Sequence, residues 1–213
     1  RRIYLFWDNG FETAPDICRL CLETWHEKNR GGEIVALDGE SANAIVDRST
    51  LPAEMGKAAY ADILRARLLA MGGGVWADAT CLCLRPLDEW LAPLALETDF
   101  FAFRRPNLDR VLCTWFLFSK ENSVLMRDWD ALVRRYWRSR TTPAAAYYWF
   151  HYLFEYMLLT SMSARRQWAR VPRMSGLPML RLAGMVTRRE ITEEDLAIVR
   201  SAPMQKMSFH KNP

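Results

Sequence analysis

Apolar residues recur along the first forty positions with two different periods. A short run of β-branched, aromatic and aliphatic residues, Ile3 to Trp7, stands before the turn signal Asp8 to Gly10, and such a run predicts a buried strand. From Pro15 to Lys28 the apolar residues return every three or four positions, which predicts an amphipathic helix. Glu33 to Leu37 then predicts a second strand. This order favours parallel pairing, because the helix supplies the crossover that parallel neighbours need, and it is typical of an α/β, nucleotide-binding type of fold.

A second helix-and-strand unit lies between Ala58 and Pro86. Its helix carries Asp62 and Arg65 one turn apart and ends at three consecutive glycines, which tolerate the backbone conformation of a helix terminus. A short apolar run follows, and Asp78 stands where that predicted strand ends. Ligands of α/β folds bind at the carboxyl ends of strands, so Asp78 is the first candidate functional residue.

The remaining pattern changes from strands to helices. Short strands are expected at residues 81–84, 99–103 and 112–118. Helices are expected at residues 123–140 and 143–159 and from Thr192 onwards, where Asp195 has the spacing of a capping pair. We therefore predict one domain, residues 1–213, with an α/β part up to residue 120 and a helical part from residue 121.

The helix expected at residues 143–159 is apolar nearly all round, which indicates a largely buried helix. Four polar side chains share one of its faces: Tyr148, His151, Tyr152 and Glu155. A buried carboxylate needs a partner, because desolvating an unpaired charge is costly. Two interpretations stay open. Either His151 and Glu155 satisfy each other in the core, or the face lines a substrate cleft.

Composition indicates a folded globular protein. Half of the 213 residues are hydrophobic, with nine Trp, ten Phe and seven Tyr, which argues against a disordered chain. The five cysteines are odd in number and no signal peptide is recognised, so we expect a reduced, cytoplasmic setting. Cys18 and Cys21 form a C-x-x-C spacing inside a predicted helix, but no second pair accompanies them, which disfavours a zinc or redox role.

The net charge of +4 is small and by itself indicates no particular class of partner. The arginines do cluster in two stretches: Arg134, Arg135, Arg138 and Arg140, then Arg165, Arg166, Arg170 and Arg173. Each cluster is either a solvated helix face or a contact with an anionic membrane surface or a phosphate-bearing substrate. No RNA- or DNA-binding motif accompanies them, so no nucleic-acid partner is expected.

The chain resembles the capsular polysaccharide synthesis protein family in five blocks, FWDNG, YADILRARLLAMGGGVWADAT, TWFLFSK, YYWFHYLFEY and QWARVP. That family is similar to glycosyltransferases with a DXD motif, and the resemblance runs from about Ile3 to Lys211. It implies a GT-A-like fold with a mostly parallel central sheet. It also implies a nucleotide-sugar-dependent hexosyltransferase that retains anomeric configuration and acts in capsule or surface polysaccharide biosynthesis, with a glycan or glycolipid acceptor.

Site residues carry over from the resemblance by position. Trp7 matches the residue that stacks on the nucleotide base, Asp62 and Arg65 match the pair that holds the donor sugar, and Asp78 matches the first aspartate of the DXD motif. The predicted donor-binding set is Phe6, Trp7, Asp62, Arg65, Trp76, Ser208, His210 and Lys211. The catalytic set is Asp78 with Glu155 and His151, the last two orienting the acceptor or assisting proton transfer.

A divalent cation, Mn²⁺ or Mg²⁺, is also implied by the resemblance, with Asp78 and His210 as ligands. Thr80, however, stands where the second aspartate of the motif would be. A neutral hydroxyl is a poorer ligand for a hard cation than a carboxylate. Metal dependence therefore stays open, and the basic pair His210 and Lys211 is the alternative source of positive charge on the diphosphate.

Other classes are weighed against this one. No Walker loop, nucleophile elbow or G-x-G-x-x-G is present, which disfavours a phosphotransferase or hydrolase. The serious alternative is a nucleotide-sugar-binding module whose active site has decayed, because Thr80 breaks the motif. We expect a cytoplasmic protein that contacts the inner face of the membrane peripherally through its basic helices.

Overall fold

The computed structural model describes residues 1–104 and 109–208. Seven strands lie in this part of the chain: β1 Arg2–Phe6, β2 Glu33–Leu37, β3 Gly74–Ala77, β4 Cys81–Cys83, β5 Phe100–Arg104, β6 Leu112–Ser119 and β7 Met204–Lys206. Five of them form a sheet in the order β2-β1-β3-β6-β5, and β4 pairs with β7 in a separate ladder.

The central sheet confirms the expected α/β class. β1 lies parallel to both β2 and β3, whereas β6 lies antiparallel to both β3 and β5. Four of its five strands therefore run in one direction, with β6 alone reversed. The strands expected from the sequence are present within one or two residues of their predicted ends. β7 was not predicted, because three residues are too short to show a period.

The helices are α1 Asp16–Lys28, α2 Gly39–Asn43, α3 Lys57–Gly72, α4 Leu87–Glu97, α5 Val124–Trp137, α6 Trp149–Thr160, α7 Met162–Arg170, α8 Arg181–Arg188 and α9 Glu193–Ser201. Aromatic packing joins the helical part to the sheet, since Trp129 stacks on Phe150 at 4.0 Å and lies edge-on to Phe100. Among the described residues, no helix has the length and apolar character needed to cross a bilayer.

The glycine stop after α3 is confirmed. The helix ends at Gly72, and the next two glycines have positive φ angles of 62° and 111°. A Cβ on Gly73 would lie 2.4 Å from the backbone nitrogen of Glu121. A side chain at this position therefore meets both backbone strain and a clash with the end of β6. The stop sets where β3 begins, and hence where Asp78 leaves the sheet.

Helix α6 differs from its prediction in two respects. It begins at Trp149, and residues 143–148 are not helical. It is also buried on one side only, because Tyr152, Tyr156 and Leu159 are exposed. The nearly continuous run of apolar residues suggested full burial, but a tyrosine carries a polar end and is stable at a surface.

Two smaller predictions also have definite outcomes. The Thr192 hydroxyl accepts from the backbone nitrogen of Asp195, which confirms the cap of α9. The Asp195 carboxylate instead pairs with Arg181 and Arg188, so the cap is not reciprocal.

All five cysteines are free and buried. Burial raises the pKa of the Cys21 thiol to about 12, which disfavours a redox or metal-binding thiolate.

Candidate functional site

A cavity of about 500 Å³ opens where Asp78 leaves β3. Its wall is built by the start of α3, by Arg110 to Trp115, by residues 143–149 and by Lys206. The charged and imidazole side chains on this wall are Asp62, Asp78, Arg65, Arg110, Lys206 and His151. The carboxyl end of β3 is thus a concave, charged surface, as expected for a ligand site of an α/β fold.

Arg65 holds the two carboxylates of this wall together. Its Nη2 lies 3.1 Å from Asp78 Oδ1 and 3.4 Å from Asp62 Oδ1. Its Nη1 donates to the Thr114 carbonyl oxygen at 2.6 Å, and the guanidinium lies 5.0 Å from the centre of the Trp76 ring. These contacts indicate that Arg65 holds the two aspartates in place.

Asp78 makes two further hydrogen bonds that fix its orientation, one accepted by its side chain and one donated by its backbone. Trp76 Nε1 donates to Asp78 Oδ1 at 2.9 Å, and the Asp78 backbone nitrogen donates to the Trp115 carbonyl oxygen at 2.9 Å. Trp76 is buried and is not among the described residues that line the cavity. Its contact with the site therefore runs through Asp78. The second carboxylate oxygen, Oδ2, points towards Lys206, 3.9 Å from its Nζ.

The pKa of the Asp62 carboxyl is unusually high for an aspartate. Burial raises the pKa of its carboxyl to about 7, Arg65 opposes this shift, and the neighbouring Asp78 carboxylate adds to it. The group therefore changes its protonation state near neutral pH. Perturbed carboxyls of this kind in a cavity are common at functional sites.

Lys206 reaches the site by strand pairing. In the ladder of β4 and β7, Cys81 lies opposite Lys206, and the Met207 backbone nitrogen donates to the Thr80 carbonyl oxygen at 2.8 Å. This register places the Lys206 ammonium on the Thr80 hydroxyl, to which it donates. The same Nζ donates to the Met207 carbonyl oxygen at 3.2 Å. Sequence reasoning missed this residue, because a strand of three residues is too short to be recognised from its period.

His210 and Lys211, the basic residues expected at the diphosphate, lie outside the described residues. His210 was also the predicted metal ligand. Ser208 is described and exposed, and the described lining of the cavity does not include it.

His151 and Glu155 have separate partners. His151 Nε2 lies 3.3 Å from Thr114 Oγ1, whereas Glu155 Oε1 accepts from the Val111 backbone nitrogen at 3.3 Å. The interpretation of these two side chains as a mutual core pair was therefore wrong. Burial lowers the pKa of His151 to about 3, with Arg110 and Arg65 adding to the effect, so the imidazole is neutral at physiological pH. Of the two, only His151 is among the described residues that line the cavity.

Phe6 and Trp7 contact the core. Phe6 is buried against Tyr60 at 5.9 Å, and Trp7 is half-buried and packs on the core. The described lining residues include neither of them. The aromatic part of the wall is formed instead by Trp115, Trp137, Tyr147, Tyr148 and Trp149. Trp115 is the one residue of β6 that is not fully buried. No signal in the sequence separates Trp115 from the core residues around it.

The sheet order, with a cavity at the carboxyl end of β3, defines an α/β fold that solved structures share. The structure titled PaToxG Glycosyltransferase aligns over 96% of this chain and 87% of its own, with 11% identity and a TM-score of 0.51. A glycosyltransferase involved in the glycosylation of the major capsid of PBCV-1 aligns over 99% and 95%, with 12% identity and a TM-score of 0.57. These likenesses show the fold, which is GT-A-like.

The family follows from the sequence profile described as Capsular polysaccharide synthesis protein, which matches residues 1–213. The chain belongs to that family. Curated relatives include a probable glycosyltransferase, FCK3, of Fusarium pseudograminearum, 25% identical over 66% of this chain and 40% of its own length. Glycosyltransferase afumC of Aspergillus fumigatus is 25% identical over 68% and 42%. The chain thus spans about two fifths of the length of these relatives.

Proposed function

We propose that the cavity is the donor site of a glycosyltransferase that moves a sugar from a nucleotide diphosphate sugar to a glycan, glycolipid or other hydroxyl acceptor. The observation that carries the proposal is the bracing of Asp62 and Asp78 by the buried Arg65 at the carboxyl end of β3. Family membership and the glycosyltransferase fold support it. A role in capsule or surface polysaccharide synthesis, and retention of configuration, remain expectations from the resemblance.

In this proposal the two carboxylates accept hydrogen bonds from sugar hydroxyls. Because Arg65 and Trp76 hold Asp78 from behind, its Oδ2 is already oriented before a ligand arrives. Fixed acceptors need no reorganisation during the reaction, which is the main advantage of a preorganised polar site. Asp62 offers two acceptor oxygens only when it is ionised, so donor affinity depends on its pKa near 7.

The aromatic wall is our candidate for the base platform. Trp115 lines the cavity and is held by stacking on Phe103 at 5.2 Å, so it is available as a rigid surface. Stacking of a base on an aromatic side chain is worth about 1–3 kcal/mol in nucleic-acid proteins. We therefore expect Trp115→Ala to weaken nucleotide affinity about tenfold. Trp7→Ala is the control, and it should change nucleotide affinity by less than about threefold. If Trp7→Ala weakens affinity and Trp115→Ala does not, the base stacks on Trp7 instead.

The acceptor is proposed to approach from α6. His151 is neutral, so a ring nitrogen without a proton can accept a hydrogen bond from an acceptor hydroxyl and orient it. Glu155 is proposed as a positioning residue, because it holds the backbone of Val111 beside Arg110 on the wall. Residues 1–120 then carry most of the donor site and residues 121–213 the acceptor side, with Lys206 as the exception.

A thermal-shift series with nucleoside diphosphates and their sugar derivatives tests the donor site. A ligand that binds only the folded state raises its melting temperature, so uridine or guanosine diphosphate sugars should do so. Release of free nucleoside diphosphate in the presence of a sugar acceptor then separates the enzyme from the alternative. Binding with no turnover, with or without Mn²⁺ or Mg²⁺, would support a binding module. No binding of any nucleotide would contradict the proposal.

A peripheral contact with an anionic membrane, from the cytoplasmic side, is proposed for α7 and the exposed side of α6. Arg165, Arg166 and Arg170 are exposed on α7, a helix without an acidic residue, and Tyr156 and Leu159 are exposed on α6. Basic residues near such a surface are worth about 1 kcal/mol each. Binding to phosphatidylserine vesicles should fall in the Arg165→Glu/Arg166→Glu variant and persist in the equally charged control Arg127→Glu/Arg135→Glu. Equal loss in both would contradict this surface.

A further inference from the structure

We propose that the Lys206 ammonium takes the position that a divalent cation would occupy beside Asp78 and Thr80, so that the diphosphate of a nucleotide sugar binds here without a metal ion. The inference rests on the proposed function, since it assigns the cationic group of the same donor site. It concerns the diphosphate end of the ligand, whereas the Arg65 cluster concerns the sugar.

The donor groups present do not suit Mn²⁺ or Mg²⁺. Such ions take oxygen ligands, carboxylates above all. Asp78 Oδ1 already accepts from Arg65 and Trp76, and Asp62 is paired with Arg65. Thr80 Oγ1 accepts from Lys206. In the described part of the chain, no group of three or more His, Cys, Asp or Glu side chains is arranged to hold a metal ion.

Of the two Asp78 carboxylate oxygens, Oδ2 is the one not bonded to Arg65 or Trp76, and Lys206 is already close to it. The distance from Oδ2 to Nζ is 3.9 Å. An ion bound to Oδ2 at about 2.0–2.6 Å would have to share this small space with the ammonium group. Like charges a few ångströms apart repel strongly at a partly buried site. Metal binding therefore requires Lys206 to leave Thr80, whereas phosphate binding does not.

Lys206 is held in place by backbone as well as side-chain contacts. The pairing of β7 with β4 fixes its Cα opposite Cys81, and its Nζ donates to Thr80 Oγ1 and to the Met207 carbonyl oxygen. An ammonium group has three N–H donors, so one remains for a phosphate oxygen on the cavity side. Among the described residues of this wall, cationic side chains outnumber carboxylates by three to two. A lysine acts on phosphate as a point charge, which is the role a metal ion would have.

The role of Lys206 in the reaction follows from where negative charge develops, which is on the departing diphosphate. The bond between the anomeric carbon and the β-phosphate oxygen breaks, and its electron pair stays on the nucleoside diphosphate. A new bond forms between the anomeric carbon and the acceptor oxygen, and the proton of that hydroxyl passes to the departing diphosphate. Lys206 stabilises the negative charge that grows on the diphosphate during this step.

Calorimetric titration of uridine and guanosine diphosphate in EDTA, and again with Mn²⁺ and Mg²⁺, tests the inference without any turnover. For the unmodified chain we expect affinities that agree within about twofold in all three conditions. Lys206→Met should weaken binding in EDTA about tenfold or more, the usual effect of losing a charged hydrogen bond. Lys206→Arg should recover part of it, and Lys120→Met, an exposed lysine paired with Asp99, is the control.

A converse variant sharpens the test. Thr80→Asp combined with Lys206→Gln restores an aspartate to the motif and removes the competing charge, so Mn²⁺ should now tighten nucleoside diphosphate binding about tenfold. Circular dichroism and the melting temperature check that the variants fold. If the unmodified chain binds nucleotide only with a metal ion, the inference fails and the proposed function stands. If it binds no nucleotide in any condition, both fail.

Discussion

Two ion clusters in this molecule have mirror-image compositions. In one, Arg65 lies between Asp62 and Asp78, and in the other Asp130 lies between Arg67 and Arg134. The arginine is the buried partner in the first, with 6% of its side chain exposed against 14% and 27% for the aspartates. The aspartate is the buried partner in the second, at 5% against 30% and 51% for the arginines.

The two clusters differ in which charged groups are exposed to solvent or to a cavity. Around Asp130 the acceptors are enclosed and the donors face solvent, which is the arrangement of an ion cluster that joins α3 to α5. Around Arg65 the donors are used up inside the protein and carboxylate oxygens face a cavity. Buried ion pairs are weak evidence of stability by themselves. The two clusters therefore differ in which charged groups are the more exposed, the aspartates in the first and the arginines in the second.

The largest effect is expected from Arg65→Met. It would leave two carboxylates near one another without their shared cation and remove the bond to the Thr114 carbonyl. Removing one partner of a buried ion cluster typically costs about 3–5 kcal/mol. Urea unfolding should show a loss of this size, together with loss of nucleotide-sugar binding. A stable variant with unchanged affinity would contradict the bracing role.

Asp78→Asn and Asp130→Asn should have opposite effects. Asp78→Asn keeps an acceptor for Arg65 and Trp76, so the fold should persist while turnover falls about 10²–10³-fold, the usual effect of losing one preorganised electrostatic group. Asp130→Asn should lower the free energy of unfolding by about 1–3 kcal/mol and leave turnover per folded molecule unchanged. Unfolding curves and initial rates on both variants measure this. Equal behaviour would remove the distinction between the clusters.

The last expected effect is a pH dependence centred on Asp62. Its pKa in the folded chain is raised to about 7, so the folded state holds a proton that the unfolded state loses near pH 4. Stability should therefore fall as pH rises from about 4 to about 7, at no more than about 1.4 kcal/mol per pH unit. Over the same range the ionised form grows, and donor affinity should rise towards pH 7 and above.

Asp62→Asn provides the control for that profile. Its stability should lack the fall between pH 4 and 7, and its donor affinity should be weak and flat with pH. Unfolding free energies at several pH values and nucleotide-sugar titrations give both curves. A wild-type profile identical to that of Asp62→Asn would show that this carboxyl does not titrate in the range.

The local half of the site was predictable from the sequence. Asp62 and Arg65 share a helix face through their i, i+3 spacing, and Asp78 follows a buried strand, so short-range geometry brings them to one edge. The same holds for β1, α1 and β2, whose periods are unambiguous. These features depend on residues close together in the chain.

The other half depends on contacts that no local pattern encodes. Lys206 meets Thr80 across 126 positions through a three-residue strand, and Arg110 and Trp115 reach the cavity only after β6 has joined the sheet. His151 and Glu155 share a helix face but turn to different partners, because the neighbours Thr114 and Val111 decide their orientation. Spacing on a helix identifies a face, and packing then selects the partner of each side chain.

The pairing of β7 with β4 has a consequence for how this protein comes into being. A cavity wall that takes its lysine from position 206 is incomplete until nearly all of the described chain has left the ribosome. Contacts of such high sequence separation also form late in folding, since a long loop must close first. A nascent chain that has already built its central sheet would therefore still lack one wall of this cavity.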